Sequence, residues 1–171
     1  MSIGKMYRTG IATTVIVASA TIAGYAAAQD GGIAVGAHVP AATVRTLDGR
    51  SVNLSALIGT SPTLIEFWAT WCPNCKELEP RLSAAQAKYA GRVKFITVAV
   101  AINETFERVQ KHAAAHKMPA DAVVYDADGK AAGAYDAPAT SYVVLVDRKG
   151  QVVYTGVGGT QDLDAAIRKA L

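Results

Sequence analysis

The sequence predicts an α/β domain, a mixed central β-sheet flanked by helices on both faces. Three observations lead there. Short apolar, β-branched runs ("SPTLIEFWA", "VKFITVAVAI", "YVVLV") read as strands buried on both sides. Amphipathic stretches of helical period separate the first of these runs, and a strand–helix–strand order implies a parallel, right-handed unit. A hairpin and a helix then close the chain. Its 171 residues suffice for one domain with a full core and are too few for two. Hydrophobic residues make up 51% and charged residues 18%, which excludes an extended disordered chain.

The first residues stand apart from that domain. "MSIGKMYRTG" carries Lys5 and Arg8 and no acid, "IATTVIVASATIAG" is apolar, and Ala26, Ala27 and Ala28 give a small-x-small cleavage pattern. Residues 1–28 are therefore expected to be a secretory signal peptide, cut after Ala28, with the mature chain exported to a bacterial periplasm or its equivalent. The alternative is an uncleaved anchor facing the periplasm, but the run is short against the about 20 residues of a span. Without Lys5 and Arg8, 15 of the 17 basic residues face 14 acids, a net charge of +1 instead of +3. No basic run or basic–aromatic interleaving exists, so no nucleic-acid partner is expected. Nothing suggests an oligomer, and a monomer is expected.

Residues 29–38 are Gly-rich and read as a flexible N-terminal arm, leaving 39–171 as the domain. "ATVRTLDGRSVNL" gives two extended runs around Asp48-Gly49, a hairpin turn. "SPTLIEFWA" follows as a central strand broken only by Glu66. "PNCKELEPRLSAAQAKYA" is a helix: Pro73 suits its first turn, Leu78, Leu82, Ala85 and Tyr89 fall at helical spacing, Gly91 ends it, and Pro80 should kink it. "VKFITVAVAI" is a second buried strand. "NETFERVQKHAAAHK" is a helix, with Asn103 as its expected cap and Phe106, Val109 and Ala113 as its apolar stripe. "DAVVYD" is a short strand before a "DADGK" turn. "YVVLVDRKGQVVYTGV" is a hairpin, and "TQDLDAAIRKAL" is a closing amphipathic helix.

Cys72 and Cys75 are the only cysteines, and they lie where the central strand gives way to a helix. A disulfide across so short a loop constrains the unfolded chain little, so it is a poor staple. A structural zinc site needs about four ligands, and His38, His112 and His116 form no Cys/His array with the pair. Unpaired N–H groups and the helix dipole favour thiolate over thiol at a helix N-terminus, and the Cys-x-x-Cys spacing does so too. Cys72, at the tip, is the expected nucleophile. Cys75, one turn in, is expected to be more buried and to act as the resolving thiol.

These residues carry a resemblance. "EFWATWCPNCKELEP" resembles the active-site segment of thioredoxins, with Pro80 five residues after the second cysteine. "VPAATVRTLDGRSVNLSALIG" ahead of it, and "NETFERVQKHAAAHKMPADAVVYDADGKAAGAYD" after it, are similar to the exported TlpA/ResA-like branch of the thioredoxin-like superfamily. The resemblance spans about residues 36–171. It implies a thioredoxin-like fold with an N-terminal β-hairpin and a helix–strand insertion. It also implies a thiol–disulfide oxidoreductase whose only redox group is the Cys72–Cys75 dithiol, with no further cofactor and no metal. Protein thiols and disulfides would be its substrates, as in cytochrome c maturation, and a membrane-bound electron donor its source of reducing equivalents. Glu66 matches the buried acid that thioredoxins place beneath the pair. An acid inside an apolar run is costly unless paired or functional, and desolvation should raise its pKa, which suits proton exchange with Cys75.

One feature departs from the resemblance. Thioredoxins carry a cis-proline opposite the cysteines, which the TlpA-like pattern places about six residues before the Asp of an Asp-x-x-Gly turn. Here that turn starts at Asp147, and six residues back stand Thr140 and Ser141. Pro138 lies three residues too early and could serve only with a local insertion. If Ser141 holds the place, a trans peptide is expected, because a non-proline cis bond costs roughly 2.5–4 kcal/mol. Trp71, Pro73, Asn74, Thr140 and Ser141 are thus the residues expected to meet the substrate. Two other readings stay open: a copper carrier or thiol-dependent chaperone using the same sulfurs, and a peroxiredoxin-like peroxidase, although no Thr/Arg set surrounds Cys72. His112 and His116, four apart on a helix beside Lys111 and Lys117, read as a solvated face, "DADG" at 126–129 as a turn and "GVGG" at 156–159 as a loop.

Overall fold

Alternating runs of β-branched and polar residues pair into one seven-stranded sheet among the described residues. A computed structural model describes Met1 and residues 31–171; the segment read as a signal peptide lies outside the described residues. The hairpin around Asp48-Gly49 forms β1 (Thr43–Thr46) and β2 (Ser51–Asn53), with Gly49 at φ +92° in its turn. A short helix α1 (Leu54–Ile58) leads to β3 (Thr63–Trp68), and α2 (Pro73–Tyr89) leads to β4 (Lys94–Val100). Then come α3 (Phe106–Ala115), β5 (Ala122–Asp126), α4 (Lys130–Ala134), β6 (Tyr142–Val146), β7 (Val152–Val157) and α5 (Leu163–Arg168).

The strand order is β2-β1-β5-β4-β3-β6-β7. β3 pairs in parallel with β4, and β4 with β5, as their helical crossovers require. The other pairings are antiparallel. All six β3 residues are buried because strands lie on both sides of it and helices on both faces. Leu64 faces Leu78, Leu82, Ala85 and Tyr89 of α2 and Leu163 and Ile167 of α5. Ile65 and Phe67 point the other way, into a core with Leu54 and Ile58 of α1 and Ala131 of α4. Each such Leu, Ile or Phe contributes roughly 1.5–3 kcal/mol on burial.

Two expectations are corrected. The described part of the N-terminal arm is not loose. Ile33 is buried, and its N–H donates to Tyr135 O and to the Tyr142 hydroxyl, both at 3.0 Å. Gly36 N donates to Val152 O at 2.7 Å, and Val39 N to Gly150 O at 3.0 Å. The cap of α3 is Thr105, whose side chain accepts from Arg108 N, while Asn103 sits two residues earlier at φ +50°. α1 and α4, five residues each, were too short to show a period. The turn read at 126–129 caps α4: the buried Asp126 carboxylate accepts from Ala131 N at 3.0 Å and Ala132 N at 2.8 Å, which is why a charge is tolerated there. Pro80 lies inside α2, which runs on to Tyr89.

Candidate active site

β3 ends at Trp68, and three residues of turn deliver Cys72 to the head of α2. Cys72 is the N-cap: its Sγ accepts from Cys75 N at 3.1 Å, and its backbone carbonyl accepts from Lys76 N at 3.3 Å. Pro73 follows in the first turn, where a missing donor costs nothing. The two cysteines, with Cα atoms 5.3 Å apart, are joined in a disulfide. In the reduced state the same cap geometry would place the Cys75 N–H and the positive helix end against the Cys72 sulfur, favouring its thiolate.

The burial of the pair reverses the expectation. Cys72 is 1% exposed and Cys75 7%. Both cysteines belong to the core that holds Phe67, Tyr135 and Tyr142, with the Cys72 sulfur turned back to cap α2. Cys75 also borders a small cavity of about 40 Å³. Around the sulfurs, Trp71, Pro73 and Asn74 are exposed. Trp71 is pinned by its Nε1, which donates to Ile102 O at 2.9 Å.

Glu66 lies on the same cavity as Cys75. It is 4% exposed, and burial, with a smaller push from the negative charge of Glu79, raises its pKa to about 8. The sequence reading of a desolvated acid beneath the pair thus has its geometric counterpart. Its cross-strand neighbours are Thr97 and Val143, neither of them a base.

On the other side of β3, Ser141 stands at the head of β6, and Pro138 lies three residues back, exposed in the preceding loop. Ser141 N donates to Phe67 O at 2.8 Å, which places Ser141 beside the end of β3. Its carbonyl accepts from Gly158 N and from Gln161 Nε2, both at 3.1 Å. Its φ is +62°, its Oγ is buried with no partner among the described residues, and no described peptide bond is cis. Thr140 beside it is half-buried.

Two groups escaped the sequence reading. Glu104 is buried, and its carboxylate accepts from Thr70 N, the Thr70 hydroxyl and Thr105 N, with Arg108 at 3.3 Å. It fastens the loop after β4 to the turn before Cys72; only its place before a capping Thr hinted at this. His112, read as part of a solvated face, lies partly buried, its ring 5.3 Å from that of Trp68 and stacked on His116 at 4.3 Å. Among the described residues no group of three or more His, Cys, Asp or Glu stands together to hold a metal ion, and no helix is long and apolar enough to cross a membrane.

A dithiol at a strand-to-helix junction, on a mixed sheet of this order, defines a thioredoxin-like protein of the thiol–disulfide oxidoreductase class. The chain belongs to the Redoxin family, whose pattern matches residues 34–170. It is 32% identical over 142 residues to the thiol:disulfide interchange protein DsbE of Tatumella citrea, covering 79% of this chain and 70% of that protein. It is 30% identical over 152 residues to the thiol-disulfide oxidoreductase ResA of Bacillus subtilis, covering 88% and 83%. A Chlorobium tepidum structure assigned as a thiol:disulfide interchange protein DsbE superposes with a TM-score of 0.67 at 27% identity, covering 81% of this chain and 98% of that one. Matches to two other thioredoxin-type relatives span 55% and 57% of those proteins.

Proposed function

We propose that the mature chain is exported and reduces disulfides of other exported proteins. The observation that carries this reading is the Cys72–Cys75 pair capping α2 with Glu66 on the cavity behind it. In the reduced protein the Cys72 thiolate attacks one sulfur of a target disulfide. A mixed disulfide forms, and the first target sulfur leaves as thiolate. Cys75 then passes its proton to Glu66 and attacks Cys72 Sγ. The second target sulfur leaves, and the Cys72–Cys75 disulfide closes. Two electrons have moved to the target, and a membrane-bound dithiol donor restores them.

The burial of Cys72 requires that the target be delivered by surface contact. The exposed Trp71, Pro73 and Asn74 are suited to that, with the half-buried Thr140; Ser141, expected to meet the substrate, is buried and offers no surface to it. A raised Glu66 pKa fits its role, since a base for a thiol works best with a pKa near the working pH.

Insulin reduction coupled to a dithiol donor tests the reading. The wild type should turn over, Cys72→Ser should not, and Cys75→Ser should accumulate a mixed disulfide visible on a non-reducing gel. Intact exchange in Cys72→Ser would sink it, and tight Cu(I) binding without any exchange would replace it with a carrier. Fractionation of a producing bacterium, with N-terminal sequencing of the mature protein, tests export and cleavage after Ala28.

A further inference from the structure

Glu66 and Cys75 share a cavity whose wall carries further polar chemistry. Lys76 and Glu79 reach it from α2, and His112 reaches it from α3. Trp68, Leu82, Met118 and Pro119 supply apolar wall. About 40 Å³ holds roughly three or four water molecules, at roughly 10–15 Å³ each. Trp68 Nε1, on a residue of its wall, is buried with no hydrogen-bond partner among the described residues, and so is Thr97 Oγ1 on the strand residue paired with Glu66, as expected of groups that bond to enclosed water.

A proton taken from Cys75 by Glu66 has no route to solvent through the sheet. On β4 and β6 the residues opposite Glu66 are Thr97 and Val143. The way out is past Glu79, which is exposed, and His112, which is half-buried. The His112 ring is held by Trp68 on one side and His116 on the other.

We propose that Glu79 and His112 are the proton exit of this site, passing protons between Glu66 and solvent through cavity water. The proposal rests on Glu66 accepting the Cys75 proton. Each cycle moves one proton from Cys75 to Glu66, from Glu66 to the pair at the mouth, and from the pair to bulk water; no electron moves along this path. The groups that face the two carriers fit the task. Glu66 sees Glu79, whose negative charge adds to burial in raising the proton affinity of the Glu66 carboxylate that receives the Cys75 proton. His112 is pushed down, first by burial and next by His116, and Lys76 adds to this; Glu79 and Glu104 push it up. His112 is therefore a neutral, exchangeable imidazole at neutral pH.

The test is stopped-flow oxidation of the reduced protein by oxidised glutathione, from pH 5 to 9.5, in dilute and in imidazole-containing buffer. Glu66→Gln should flatten the pH profile. His112→Gln should slow the reaction roughly tenfold in dilute buffer, modest beside the about 10²–10⁴ of a group that touches the reacting atoms. Imidazole should restore its rate, and its reduction potential should stay at the wild-type value, which a merely structural defect would not allow. Glu79→Gln should move the profile's midpoint to lower pH, since it removes the charge that raises Glu66. An unaltered profile in Glu66→Gln overturns the role of Glu66 and the exit with it. A flattened profile in Glu66→Gln, with wild-type behaviour in His112→Gln and Glu79→Gln or no rescue by imidazole, overturns the exit alone.

Discussion

The Glu104 carboxylate accepts two hydrogen bonds from one residue: Thr70 donates its backbone N–H at 2.8 Å and its hydroxyl at 2.6 Å. Thr70 lies two residues before Cys72, and Trp71 between them is tied to Ile102 of the same loop. Glu104→Ala should leave the Thr70 N–H without its partner and cost about 2–4 kcal/mol, while Arg108 keeps its bond to Asn103 O. Trp71 should loosen with it. Urea unfolding reads the first effect, and iodide quenching of Trp71 fluorescence, with Trp68 buried as an internal reference, reads the second.

Glu66 sets a pH dependence whose sign is fixed by its raised pKa. The folded chain holds this proton up to about pH 8, whereas an unfolded glutamate releases it near 4.5. Between those values the folded state binds more protons, so its stability falls as pH rises. Oxidised wild type should lose stability between about pH 5 and pH 8.5, and Glu66→Gln should lose markedly less. Parallel denaturation curves at the two pH values decide it; equal slopes would mean that Glu66 is charged throughout.

Ser141 occupies a backbone conformation that proline cannot adopt, at φ +62°, and its N–H is committed to Phe67 O. Ser141→Pro should therefore destabilise by more than about 2 kcal/mol, despite restoring the residue that thioredoxins use opposite their cysteines. Ser141→Gly should gain about 1 kcal/mol by relieving the left-handed backbone and by removing an unpartnered hydroxyl. Thermal unfolding of the two variants makes the comparison.

Tyr142→Phe removes the hydroxyl that accepts from Ile33 N and is expected to cost about 0.5–1.5 kcal/mol. Ile33 keeps its bond to Tyr135 O, so the sheet should hold while residues 31–36 exchange faster. Hydrogen exchange resolved to peptides separates that outcome from a general loosening.

The central strands, α2 and the closing hairpin were legible because their patterns are long: β3 is apolar but for Thr63 and Glu66, and α2 repeats its apolar face over four turns. The chemistry was legible for a related reason. A Cys-x-x-Cys after such a strand, with an acid inside the strand, has few other physical explanations. α1 and α4 were not legible, since five residues show no period and tertiary packing decides them. The cavity that Cys75 borders was not legible either, because His112, Met118 and Pro119, far along the chain, complete its wall. The same distance hid Glu104 and His112, whose partners lie 34 and about 40 residues away. The Gly-rich stretch at 31–38 looked loose because glycine says nothing of the backbone bonds it will make.

Those bonds have a consequence for how the molecule meets other copies of itself. An outermost strand offers a row of free N–H and C=O groups on which a second chain can add. β7 is such a strand, yet its first rungs are already taken: Val152 exchanges hydrogen bonds with Gly36 and Ala37, and His38 bridges Gln151. At the other end of the sheet, β2 is three residues long, too short a template to recruit much. The opening residues of the folded chain thus act as a guard against edge-to-edge assembly. A form trimmed to begin at Val39 should self-associate with rising concentration more readily than one that keeps residues 31–38.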